Sequence, residues 1–149
     1  MIIHRSLVVS LVGGALIVVS VFLPWISTTW SIPDIGPWTV SGSGVEDNLG
    51  QLVLLIGLAS IGILFVKQKV FRVKFGLLLA VVNLFVIIYF QLRTMSFRIP
   101  YPTDTFQMVI QIGSYIAIIG SLTLIVGKFV EFMAKVDKEI KPPEASLPV

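Results

Sequence analysis

The chain has 149 residues, 56% of them hydrophobic and 13% charged, with a net charge of +3 and a mean hydropathy of +0.97. A water-soluble domain of this length cannot hide that much apolar surface, so lipid is expected as the solvent of most of the chain. The absence of cysteine excludes disulfides, thiol catalysis and thiolate metal sites, and the positive charges flank apolar runs instead of forming a patch with aromatics between them, which argues against a nucleic-acid partner.

After a polar start with His4 and Arg5, an apolar run extends from Ser6 to Leu23 and is closed by Pro24. About eighteen such residues let a helix cross roughly 30 Å of hydrocarbon, so a first span over residues 6–23 is expected. A basic start before an apolar run also fits a signal peptide, but the run exceeds a usual h-region, and the small residues Ser27 and Thr29 lie beyond Pro24 and Trp25. Ser6, Ser10 and Gly14 recur at i, i+4, i+8, a row that lets another helix approach closely.

Residues 24–48 contain Trp25, Trp30 and Trp38, three prolines and no Lys or Arg, and carry Asp34, Glu46 and Asp47. That charge pattern reads as an outer loop. Ile26–Ile32 and Trp38–Val40 suit extended pieces turned back by Pro33-Asp34-Ile35-Gly36-Pro37, so a small β-hairpin is expected here. Interfacial anchoring accounts for Trp25 better than for Trp30 and Trp38; the alternative is an aromatic surface shown to a partner protein or a lipid.

Phe22-Leu23-Pro24-Trp25, the Ser41-Gly42-Ser43-Gly44 stretch, and Asp47 and Gly50 leading into a Leu-rich second run resemble small, mostly uncharacterised bacterial membrane proteins of four spans. The layout is also similar to that of claudin-type tetraspan proteins, which carry tryptophans in a large first outer loop. This chain lacks that family's cysteine pair, so a junction-forming role does not carry over, and neither resemblance implies an activity.

A second span is expected over residues 49–66, with Gly50, Gly57, Ala59, Ser60 and Gly62 along it. Lys67-Gln68-Lys69-Val70-Phe71-Arg72-Val73-Lys74 follows, with four basic residues and no acid, as expected of a cytoplasmic loop between two spans. A third span over residues 75–92 places Gly76, Ala80 and Asn83 on one face, so Asn83 should look into the bundle, with Ser60, Ser114 or Ser121 as hydrogen-bond partners. Residues 93–107 form a second outer loop with Arg93, Arg98, Asp104 and the turn-prone Pro100-Tyr101-Pro102. The fourth span, 108–127, carries a stripe of Gly113, Ala117, Gly120, Leu124 and Gly127 that suits close packing against the bundle or a second copy.

From Lys128 a cytoplasmic helix and tail, 128–149, is expected. Phe129, Phe132, Met133, Val136 and Ile140 lie on one side as a contact face, with Glu131–Lys135 and Lys135–Glu139 pairs on the other, and Pro142-Pro143 ends the helix. With both termini inside, nine of the eleven positive residues are cytoplasmic, as the positive-inside rule requires. The reading is therefore a single-domain, all-α four-helix membrane bundle with a β-hairpin, multi-pass in the plasma (inner) membrane.

No ionisable residue falls within any of these spans, which disfavours a proton-coupled carrier. His4 has no evident carboxylate or nucleophile partner, and reads as an interface histidine sooner than a haem or pigment ligand. The acids Asp34, Glu46 and Asp47 match no Ca²⁺ loop. No cofactor, metal or catalytic residue is expected. What remains is a non-enzymatic structural, assembly or accessory subunit that binds other membrane proteins or itself, a small channel built by an oligomer, or an envelope sensor using the tryptophan loop.

Overall fold

The computed structural model describes residues 2–32, 34, 36–96 and 106–140. In chain order these form α1 (Ile2–Val21), β1 (Pro24–Ile32), β2 (Gly36–Ser43), α2 (Asn48–Gly62), α3 (Lys69–Ser96), β3 (Phe106–Ile110) and α4 (Ile112–Ile140), with 3-10 turns at Gly44–Glu46 and Ile63–Phe65. Among the described residues, three stretches are helical, long and apolar enough to cross a membrane: Asn48–Phe65, Lys69–Met95 and Ile112–Ala134. The apolar part of α1, Arg5–Val21, is shorter.

The helices pack as a ring, α1 against α2 and α4, and α3 against the same two. Large apolar side chains such as Leu55, Leu78, Phe85, Ile119 and Val126 point outward, while Ser10, Ser20, Ser60, Asn83, Ser114 and Ser121 are buried. This arrangement suits helices whose outer solvent is apolar and whose contacts rely on small residues and interhelical hydrogen bonds. The most extensive helix pair is α1 with α4, and its closeness comes from glycine. A Cβ built on Gly120 would lie 2.9 Å from the Gly13 carbonyl oxygen and 2.9 Å from the Ile17 nitrogen, so the two backbones touch where no side chain fits.

Local signals start and stop these elements. The Asp47 side chain caps α2 by accepting from the Leu49 N–H at 2.8 Å, an interaction worth about 1 kcal/mol. The β1–β2 hairpin turns at Asp34 and Gly36, both at positive φ (71° and 95°), where a short polar side chain or none is tolerated. Residues 66–68 are all that separates the 3-10 turn after α2 from α3, so most of the expected basic loop, from Lys69 onward, is already helical.

Two expectations change. The hairpin is joined by a third strand, giving the sheet order β2-β1-β3, with Ile26 opposite Ile110 and Thr28 opposite Met108. Residues 108–110 are therefore strand and not the start of a span, because the second edge of β1 accepts them; α4 begins only after the Gln111 N–H has bonded the Trp25 carbonyl at 2.8 Å. The first helix likewise stops at Val21, as Phe22 and Leu23 turn into β1. The turn residues Pro33 and Ile35, the Pro100-Tyr101-Pro102 stretch with Arg98 and Asp104, and the tail with Pro142-Pro143 lie outside the described residues.

Candidate functional site

The sheet is two-faced. Strand register puts Ile26, Thr28 and Trp30 in rows with Gly42, Val40 and Trp38 on one side, and Ile26 and Thr28 with Ile110 and Met108 on the other. Side chains alternate along a strand, so these rows make one largely apolar face, and Ser27, Thr29, Thr39 and Ser41 fall on the opposite one. Thr29 and Thr39 share a hydroxyl hydrogen bond of 2.9 Å there. The base of the apolar face is used by the fold, since Ile26 packs on the core and, with Met108, Phe90, Arg93, Thr94 and Asp47, lines a pocket at this end of the helices. Further out, Trp30, Trp38 and Val40 are exposed, Trp38 by 62%.

Strand β2 is exposed along Gly36–Val40 on both faces, and β1 is its one strand neighbour among the described residues. Among the described residues its outer edge is open, and Gly36–Ser43 carries no charged residue to guard it. Trp25 behaves differently from its two companions. Expected at the interface, it is only 1% exposed, packs edge-on against Phe90 at 4.9 Å and donates its indole N–H to the Ser20 carbonyl at 2.8 Å. A bulge between Pro24 and Ile26 turns it into the bundle, where it fills the space that Gly44 and Gly113 leave open.

A second set of polar groups lines the α3–α4 seam. Gln91 donates to Ser114 at 3.4 Å, and Asn83 donates to Ser121 at 2.9 Å. Ser121 in turn bonds the Ala117 carbonyl, which leaves Asn83 Oδ1 buried with no hydrogen-bond partner among the described residues. Ser114, Ser121 and Lys128 follow at intervals of seven, about 10 Å of helix apart.

At the far end of this seam lies an ion cluster. Lys128 and Glu131 are fully buried, and Arg72, in the first turn of α3, is 13% exposed. Arg72 donates to Glu131 Oε1 through Nε at 3.1 Å and through a second guanidinium nitrogen, while Lys128 Nζ reaches Oε2 at 3.4 Å. The lysine stem lies over Gly76, where a Cβ would come within 2.6 Å of it. One carboxylate thus holds two cations and clips the start of α3 to α4.

The cluster corrects two sequence expectations. Glu131 was expected to pair with Lys135 on a solvated face, and the spans were expected to hold no ionisable residue; instead Glu131 and Lys128 face inward within the apolar stretch Ile112–Ala134. The signal was present, since Glu131 continues the Gly113, Ala117, Gly120, Leu124, Gly127 stripe by one more step of four, and Arg72 precedes Gly76 and Ala80 on their own row. Phe129, Phe132 and Met133 are exposed on the outer surface of α4. The side chains of His4, Lys135, Val136, Glu139 and Ile140 lie outside the described set.

The remaining packing residues meet as follows. Ser10 sits on Gly127, Gly14 on Ile61 and the Gly57 carbonyl, Gly57 on Ile17 and Val18, and Gly113 on Trp25 and the Pro24 carbonyl. Ser6 and Ala80 are buried. Gly13, which the Ser6–Ser10–Gly14 row passes over, approaches the α4 backbone at Gly120 and Leu124. No group of three or more His, Cys, Asp or Glu residues among the described ones is placed to hold a metal ion.

Neither the family models nor the curated proteins compared with this chain match it. Its function must be argued from the geometry.

Proposed function

We propose that the chain is a non-enzymatic, four-span membrane protein with both termini cytoplasmic, acting as an accessory or assembly subunit that binds another membrane protein through its sheet. The open edge of β2, eight residues long and uncharged, carries this reading, because such an edge is a template for strand addition. The neighbouring Trp38 supplies the kind of exposed aromatic that anchors interfaces. The charge distribution supports the orientation, with the sheet outside and the Arg72 end inside.

Photo-crosslinkers placed at Thr39 and Ser41 in intact membranes should capture one defined membrane protein, and Thr39→Lys should abolish that product at unchanged expression. Products with no protein other than this chain itself would sink the accessory reading. For the orientation, a reporter active only in the cytoplasm should work after residue 149 and fail when inserted beside Asp34 at the hairpin tip; activity at Asp34 would reverse the topology.

A channel reading rests on the α3–α4 seam, and Asn83 separates the two. As a packing group, its replacement by Leu removes one hydrogen bond and one buried amide together, so stability should change by only about 1 kcal/mol. Reconstituted wild-type and Asn83→Leu protein should both show no solute or ion flux. Wild-type flux that Leu abolishes, by making a wet constriction apolar, would transfer the function to the seam.

A further inference from the structure

On the outer side of α3, at the end that holds Arg72, Gln68, Val70, Phe71, Lys74, Phe75 and Leu78 line a groove. Phe71 and Phe75 stack with ring centroids 5.1 Å apart and 13° between planes, giving it a flat apolar floor, and Leu78 extends this toward the middle of the helix. Gln68 and Lys74 are exposed at its mouth. Among the described residues, the lysines around that mouth make its charge positive. Residues 67–74 contain no acid, and Glu131 is already engaged by Arg72 and Lys128, leaving Lys67, Lys69 and Lys74 outside every ion pair among the described residues.

We propose that this groove is a binding site for one anionic phospholipid of the surrounding bilayer. Its phosphate sits between Lys74 and Gln68, and one acyl chain runs over Phe71, Phe75 and Leu78. A zwitterionic lipid satisfies the apolar floor equally well but brings its own cation to a mouth that already has an excess of positive charge. The lysines therefore select for net negative headgroups, each contributing near the surface on the scale known for basic residues at anionic membranes. The assignment of this end to the cytoplasmic leaflet rests on the orientation proposed above, but binding itself does not, so the two fail separately.

The test uses the full chain, purified and stripped of lipid in mild detergent, with bound lipid counted by native mass spectrometry during titration with dioleoyl phosphatidylglycerol or dioleoyl phosphatidylcholine. One phosphatidylglycerol should bind in preference to phosphatidylcholine, and Lys74→Gln should weaken it about fivefold, the weight of one lysine, while Arg93→Gln at the opposite end leaves it unchanged. Inorganic phosphate should not compete. Equal binding of the two lipids, full retention in Lys74→Gln, or displacement by phosphate alone would overturn the proposal. A photo-crosslinker at Phe75 that captures a protein in membranes, including a second copy of this chain, would do the same.

Discussion

Replacing Glu131 by Gln should cost on the order of 3 to 5 kcal/mol of stability, the usual penalty for removing one partner from a buried ion pair. The amide keeps the side chain's size but leaves Lys128, fully buried, and Arg72, nearly so, without the carboxylate that both now share. Thermal unfolding of the purified protein in mild detergent should show a clear drop in melting temperature. A charge-free version, Arg72→Met with Lys128→Met and Glu131→Leu, should recover most of that loss, because apolar groups of similar volume remove the desolvation cost together with the attraction. If Glu131→Gln melts where the wild type does, water reaches the carboxylate and the α3–α4 clip is not a sealed one.

Gly120→Leu should also destabilise the fold, less strongly and by a different route. The first atom of any added side chain meets the Gly13 carbonyl, the Ile17 nitrogen and Ile17 Cγ1 at 2.9 to 3.0 Å, and two of those three are backbone, which cannot swing aside. The α1–α4 pair must separate, and overpacking of this kind typically costs about 1 to 3 kcal/mol. Gly62→Leu is the matched control, since nothing lies within 4 Å of a Cβ there. The Gly120 variant should melt lower and the Gly62 variant should not. Equal melting of both would place the α1–α4 contact somewhere other than this stripe.

What was legible beforehand was local or periodic. Long apolar runs announced four spans because hydropathy is carried by the run itself, and among the described residues three of those helices are long and apolar enough to cross a membrane; the prolines and glycine of residues 33–37 announced the hairpin, whose turn has Asp34 and Gly36 at positive φ. Asn83 was placed on the inner face by its spacing from Gly76 and Ala80. Spacing did not choose between three serines as its partner, since that choice depends on whether Asn83 turns toward α2 or α4 and on how far α4 slides along α3; the structure selects Ser121.

By itself, then, the sequence determined the apolar class, the helical stretches and the hairpin, all properties of short segments or single helices. Tertiary structure alone decided the rest. Residues 108–110 read as the leading end of the fourth apolar run and residues 106–107 as loop, and only the open second edge of β1 joins them into one strand. Trp25 reads as an interface anchor, and only the bulge beside it and the room at Gly44 and Gly113 bury it. Glu131 reads as a solvated charge past the end of a span, because a residue type reports its own preference and not its neighbours. It is buried because α4 carries its inner face one turn further against α3, where Arg72 and Lys128 converge on one carboxylate and make burial tolerable.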